Sequence, residues 1–125
     1  MTLTFTAEAT QPKTLTDYTV EDIQNIIALA KAEAYGAAQT HIDTYGEQAY
    51  CGFAWVNIWG IRGNTKLGKR MKAAGLEKDY QGAYSIWNPS SLGTQCMSTK
   101  EAGARAAADV FKAYGFTCYA GSRAD

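Results

Sequence analysis

Arg62, Asn64, Lys66, Lys69 and Arg70 crowd into one short stretch that also holds Gly60, Gly63 and Gly68. Four cations beside glycines suit one chemistry above others, the holding of phosphate. The run Gly63-Asn64-Thr65-Lys66-Leu67-Gly68-Lys69 has the spacing of a phosphate-binding loop. It follows a strand-like segment and precedes a helix-like one, where successive backbone N–H groups and a helix N-terminus can cradle an anion. Arg70 stands where a Ser or Thr would hold magnesium, and no apolar strand ends in a clear metal-binding Asp. The chain is also short for a nucleoside-triphosphatase sheet. Phosphate recognition without hydrolysis is the reading that survives. Its plain rival is a strand-to-helix turn whose glycines serve geometry alone.

Other reactive residue types are sparse. His41, the single histidine, lies ten residues before Cys51, with Asn57 beyond. A cysteine hydrolase needs thiolate, imidazole and an orienting group to meet in space, and no local signature surrounds any of the three. Small buried cysteines and a surface histidine far from the loop are the simpler expectation. No catalytic residue is assigned. Cys51, Cys96 and Cys118 are odd in number and widely spaced, which suggests neither a disulfide framework nor a zinc site; reduced thiols are expected, with no metal and no cofactor. Lys100-Glu101-Ala102 with Ala106-Ala107 has letters found in the last helix of double-stranded-RNA-binding domains. An Ala-rich helix packing on a sheet explains the same letters.

Aromatic side chains are plentiful: three Trp, eight Tyr and four Phe. Phe53, Trp55, Trp59, Tyr84, Trp87 and Tyr119 would form a platform if their strands are neighbours. Such a platform stacks bases, although core or the centre of a homo-oligomer interface is the commoner use. The charges balance to zero but are segregated. Residues 1–50 carry two basic groups against seven acidic; residues 51–125 carry ten against five. A solvated basic face and a site for a phosphate-bearing partner both fit this division.

The elements that must position these groups follow from periodicity. Residues 1–17 read as an N-terminal arm, with Thr2–Thr6 alternating like a short edge strand. Residues 18–125 read as a single compact domain. Thr19 with Asp22 resembles a capping box, and Ile23, Ile27, Ala30, Ala34 and Ala38 recur at helical spacing from Val20 into the low forties, ending near Gly46. Tyr50–Trp59 is the strongest strand candidate. Gly52, Ala54, Val56 and Ile58 share one small apolar face, and Cys51, Phe53, Trp55, Asn57 and Trp59 share the other. A short basic helix, Leu67–Ala74, closes at Gly75. Gln81–Asn88 is a second strand, Ser98–Glu101 has a capping-box pattern opening a helix to Gly115, and Phe116–Tyr119 is a final strand before the tail. The fold class is therefore α+β: a small mixed sheet of three to four strands with Ala-rich helices packed on one face. No apolar run approaches the ~20 residues that cross a bilayer, and the N-terminus lacks the features of a secretory signal.

The stretch Cys51–Gly60, continuing through Gly63–Gly68, Ile86-Trp87-Asn88-Pro89-Ser90, Ala102-Gly103-Ala104 and Ala120–Arg123, resembles a family of small proteins of tailed bacteriophages. Phages of marine cyanobacteria are its notable carriers, and the family has no established activity. The resemblance implies a phage product acting in the cytoplasm of the infected host cell, as a host-interacting or counter-defence protein or as a minor virion or assembly component. The first expectation is thus a non-enzymatic binding protein with an anionic, nucleotide-like ligand, or nucleic acid, at the loop. Arg62, Asn64, Lys66, Lys69 and Arg70, with Arg123, would supply polar contacts, and Trp59 and Trp87 stacking surfaces. The alternatives are a protein-interaction module using the aromatic sheet face and a nucleic-acid-binding module. A homo-oligomer is expected, with no membrane partner.

Overall fold

The computed structural model describes residues 15–46, 51–79, 81–93 and 96–124. The Thr2–Thr6 strand and most of the arm lie outside them. A single 3-10 turn at Leu15–Asp17 leads into helix α1, Val20–Tyr45. Thr19 caps this helix: its hydroxyl accepts from the Asp22 N–H while the Asp22 carboxylate accepts from the Thr19 N–H. The capping box therefore satisfies two N–H groups that a helix start leaves without internal partners. Ile23, Ile27, Ala30, Ala34 and Ala38 are buried along one stripe, as their spacing requires.

Strand β1, Gly52–Trp59, follows, then α2, Lys66–Ala73, the two-residue strand β2, Glu77–Lys78, and β3, Tyr84–Trp87. Helix α3, Met97–Ala113, leads to the last strand, β4, Thr117–Ala124. The sheet runs β2-β3-β1-β4. All three pairings are antiparallel, where the sequence reading expects a mixed sheet. The short β2 is absent from that reading. It pairs through a turn in which the Asp79 carboxylate accepts from the Gln81 and Ala83 N–H groups.

Burial alternates strictly along β1. Ala54, Val56 and Ile58 face the helices and are essentially inaccessible, together with Ile23, Ala30, Met71, Val110 and Phe111. The helices gather on this one side. Alanines on α1 and α3 let these two helices approach each other closely, while α3 lies directly on β1 and β4. Tyr18 ties the start of α1 to the end of α3, donating its hydroxyl to the Tyr114 carbonyl and stacking on Phe116.

Strand β3 opens at Tyr84 rather than Gln81, and two further boundaries differ from expectation with a visible cause. Helix α3 starts at Met97, after an N-cap Cys96 that makes no side-chain capping bond. Ser98–Glu101 is therefore inside the helix. Its members turn to other work: the Thr99 hydroxyl meets His41 Nδ1, and the Glu101 carboxylate accepts from Ser122 Oγ. Strand β4 runs to Ala124 instead of ending near Tyr119, since it pairs with the whole length of β1.

Candidate ligand-binding face

The register decides which side chains share the side of the sheet opposite the helices. Trp55 is directly opposite Trp87 on β3 and Gly121 on β4; Asn57 is opposite Ser85 and Tyr119; Phe53 is opposite Arg123; Trp59 is opposite Thr117. Directly opposed residues of an antiparallel sheet project from the same face. Phe53, Trp55, Asn57, Trp59, Ser85, Trp87, Tyr119 and Arg123 therefore lie together. Tyr84 does not join this platform. It opens β3 on the helix side, only 2% exposed, and donates its hydroxyl to the Gly68 carbonyl.

The aromatic rings on this face are mutually ordered. The Trp55 and Trp87 indoles stack at 5.1 Å with planes 9° apart, and Phe53 stacks on Trp87 at 5.7 Å. Gly121 completes the arrangement, because a Cβ there would fall 2.6 Å from Trp55 Nε1. The Trp55 ring thus lies across bare β4 backbone. Lys100 reaches the edge of this assembly from α3, its ammonium 5.2 Å from the Phe53 ring centroid and bonded to the Gly52 carbonyl. Lys112 lies 5.8 Å from the Tyr119 ring. Trp87 and Tyr119 stay 59% and 60% exposed, so two aromatic surfaces are open to a ligand.

Beside the indoles is a shallow hollow of about 290 Å³ lined by Trp55, Asn57, Asp79, Gln81, Ser85, Trp87 and Arg123. Ser85 Oγ donates to Asn57 Oδ1, which leaves the Asn57 amide N–H groups for other acceptors. Polar groups of both kinds border an aromatic floor. That combination suits a planar, polar-edged ring better than an aliphatic chain.

The site residues expected from sequence divide into two groups. Trp87 and Arg123 share the hollow. Trp59 is on the same face, four residues along β1 from Trp55, roughly 13 Å at strand rise. Arg62, Asn64, Lys66 and Lys69 are exposed in the segment that follows that end of the strand and do not line the hollow. Arg70 is committed elsewhere: its guanidinium donates to the Thr16 and Tyr18 carbonyls at 2.7 and 3.1 Å. The Gly-rich loop itself is a closed turn. Thr65 caps α2, accepting from the Gly68 N–H and donating to the Arg62 carbonyl. A Cβ on Gly68 would run into that carbonyl. Gly68 therefore serves close packing, and its N–H is already taken. Asp79, Gln81 and Ser85 carry no site signal in the sequence, and Asn57 enters it only as a possible partner of His41 and Cys51; alternation alone places Asn57 beside Trp55 and Trp59.

His41 is half-buried, not at the surface as expected. Its ring lies against Tyr45 and within hydrogen-bonding distance of Thr99. It sits some 20 residues along α1 from the end that Arg70 anchors, about 30 Å at helical rise. Among the described residues no group of three His, Cys, Asp or Glu side chains could hold a metal ion, and no helix is long and apolar enough to cross a membrane. The chain matches no protein-family profile, no curated protein and no solved structure.

Proposed function

We propose that this protein binds single-stranded nucleic acid, or a nucleotide of the same chemistry, on the aromatic face of its sheet and does so without chemistry on the ligand. The observation that carries the reading is the near-parallel Trp55–Trp87 pair on a face that no helix among the described residues covers, with the Trp87 indole 59% exposed. A base stacks on the outer surface of Trp87 and a neighbouring base on Tyr119. Arg123 beside the hollow, and Arg62, Lys66 and Lys69 beyond Trp59, attract the phosphates. The polar rim of Asn57, Asp79, Gln81 and Ser85 meets base edges. Stacking of this kind contributes ~1–3 kcal/mol per base and tolerates sequence variation. In this reading the ring-binding element is the sheet, and the basic loop supplies long-range attraction rather than a phosphate cradle.

The phage resemblance gives the proposal a setting. We read the protein as acting in the cytoplasm of an infected cell, where a binder of nucleotide units would sequester a host signal or coat exposed strands.

Anisotropy titration with a fluorescent oligothymidine tests the reading. Trp87→Ala is expected to weaken binding roughly tenfold or more. Affinity should fall as salt rises, with a shallower slope in a Lys66→Ala/Lys69→Ala variant. No binding at low salt would refute it. Exposure of Trp87 and Tyr119 on one face also favours a second reading, contact between copies of the chain. Sedimentation would then show a dimer that Trp87→Ala dissociates.

A further inference from the structure

Cys51 and Cys96 are far apart in sequence but directly opposed in an isolated antiparallel bridge. Neither is in a disulfide in this structure. Opposed residues of an antiparallel pair have Cα atoms about 4.5 or 5.5 Å apart, depending on the hydrogen-bonding position. Both values fall within the roughly 4.4–6.8 Å window of a disulfide, and opposed side chains leave the same face. The two cysteines also differ in access. Cys51 is exposed, whereas Cys96 is buried at the N-cap of α3. Cys51 can meet a soluble reagent, and Cys96, directly opposite it, is shielded from one.

We propose that Cys51 and Cys96 are an oxidisable pair, which closes to an intramolecular disulfide on reaction with a low-molecular-weight disulfide such as oxidised glutathione. The Cys51 thiolate attacks one sulfur of the reagent, the reagent's S–S bond breaks, and one glutathione thiolate leaves. Cys96 then loses its proton to solvent and attacks Cys51 Sγ, which expels the second glutathione. The protein loses two electrons and two protons, and one oxidised glutathione becomes two reduced molecules. The new bond joins the start of β1 to the start of α3. Those segments carry Phe53 and Lys100, so the bond would clamp the edge of the aromatic face. Cys118 takes no part: it is buried and donates its thiol to the Ala108 carbonyl.

The test incubates the full native chain with oxidised glutathione, quenches with acid and maps peptides by mass spectrometry. The expected product is monomeric, lighter by the mass of two hydrogens, with Cys51 and Cys96 in one linked peptide pair and Cys118 still reduced. Its Tm should rise by about 10 °C and return on reduction. Cys96→Ser should stop at a glutathione adduct on Cys51, and Cys51→Ser should leave Cys96 unmodified. Wild-type protein that retains both thiols, stops at the Cys51 adduct or links Cys51 between two chains would overturn the proposal. That reading needs neither variant to fold.

Discussion

Gly121 offers a sharp test of how the aromatic face is built. Substituting Ala places a methyl 2.6 Å from Trp55 Nε1, 2.7 Å from Cε2 and 2.9 Å from Cζ2. Comfortable contacts between such atoms are about 3.5–4.0 Å, so the indole must retreat by roughly 1 Å. Its other side is occupied, since Trp87 stacks on it at 5.1 Å. Trp55 therefore leaves its rotamer, or β4 parts from β1. Overpacking of this kind costs about 1–3 kcal/mol. Removing a glycine from a strand returns about 0.5–1 kcal/mol, so the expected net loss is about 1–2 kcal/mol, a fall in Tm of roughly 3–8 °C. Gly36→Ala is the matched control. That glycine is exposed within α1 with nothing within 4 Å of a Cβ, and the change should stabilise by about 0.8–1 kcal/mol. Thermal melts followed by circular dichroism read both variants, and the near-ultraviolet band of the coupled indoles reports the stack. Gly121→Ala melting at or above wild type with that band unchanged would refute the account, because the ring would have moved at no cost.

Ala107 is fully buried on α3, so Ala107→Leu should overpack the layer between helix and sheet and lower stability by about 1–3 kcal/mol, read by chemical denaturation. Arg70→Ala should cost about 1–2 kcal/mol through the lost bonds to the Thr16 and Tyr18 carbonyls, yet weaken oligonucleotide binding less than Lys66→Ala/Lys69→Ala does. Burial pushes the Cys118 thiol from 9.0 up to about 11, and burial also raises Tyr18 and Tyr84. The folded chain thus keeps protons that the unfolded chain releases. This stabilising contribution is whole below pH 9 and is lost as pH climbs towards 11. Melting temperature should decline across that interval, and Cys118→Ala should make the decline shallower.

What could be read from sequence was local. The Thr19–Asp22 box and the Ile and Ala stripe of α1 depend on residues within a few positions of one another, and so do the two faces of β1. The misreadings each turn on a partner distant in the chain. Ser98–Glu101 has the letters of a cap, but Thr99 is drawn to His41 and Glu101 to Ser122. Gly121 reads as part of the tail, yet its missing side chain is what Trp55 lies on. Arg70 looks like one more ligand-binding cation until the Thr16 and Tyr18 carbonyls are placed beside it. Tyr84 looks like a platform residue until the register puts Ser85 and Trp87 on that side instead.

The same long-range pairings explain why the aromatic face makes sense as a binding surface. An exposed tryptophan on a loop would surrender rotamer freedom when a base stacked on it, offsetting part of the gain. Here Trp87 is already held by contact with two rings, Phe53 and Trp55, and Trp55 is fixed in turn by the bare backbone at Gly121. The ordering is done during folding, by the same contacts that register β3 and β4 on β1. A base meeting Trp87 finds a surface with little left to lose, so a modest stacking energy converts more fully into affinity.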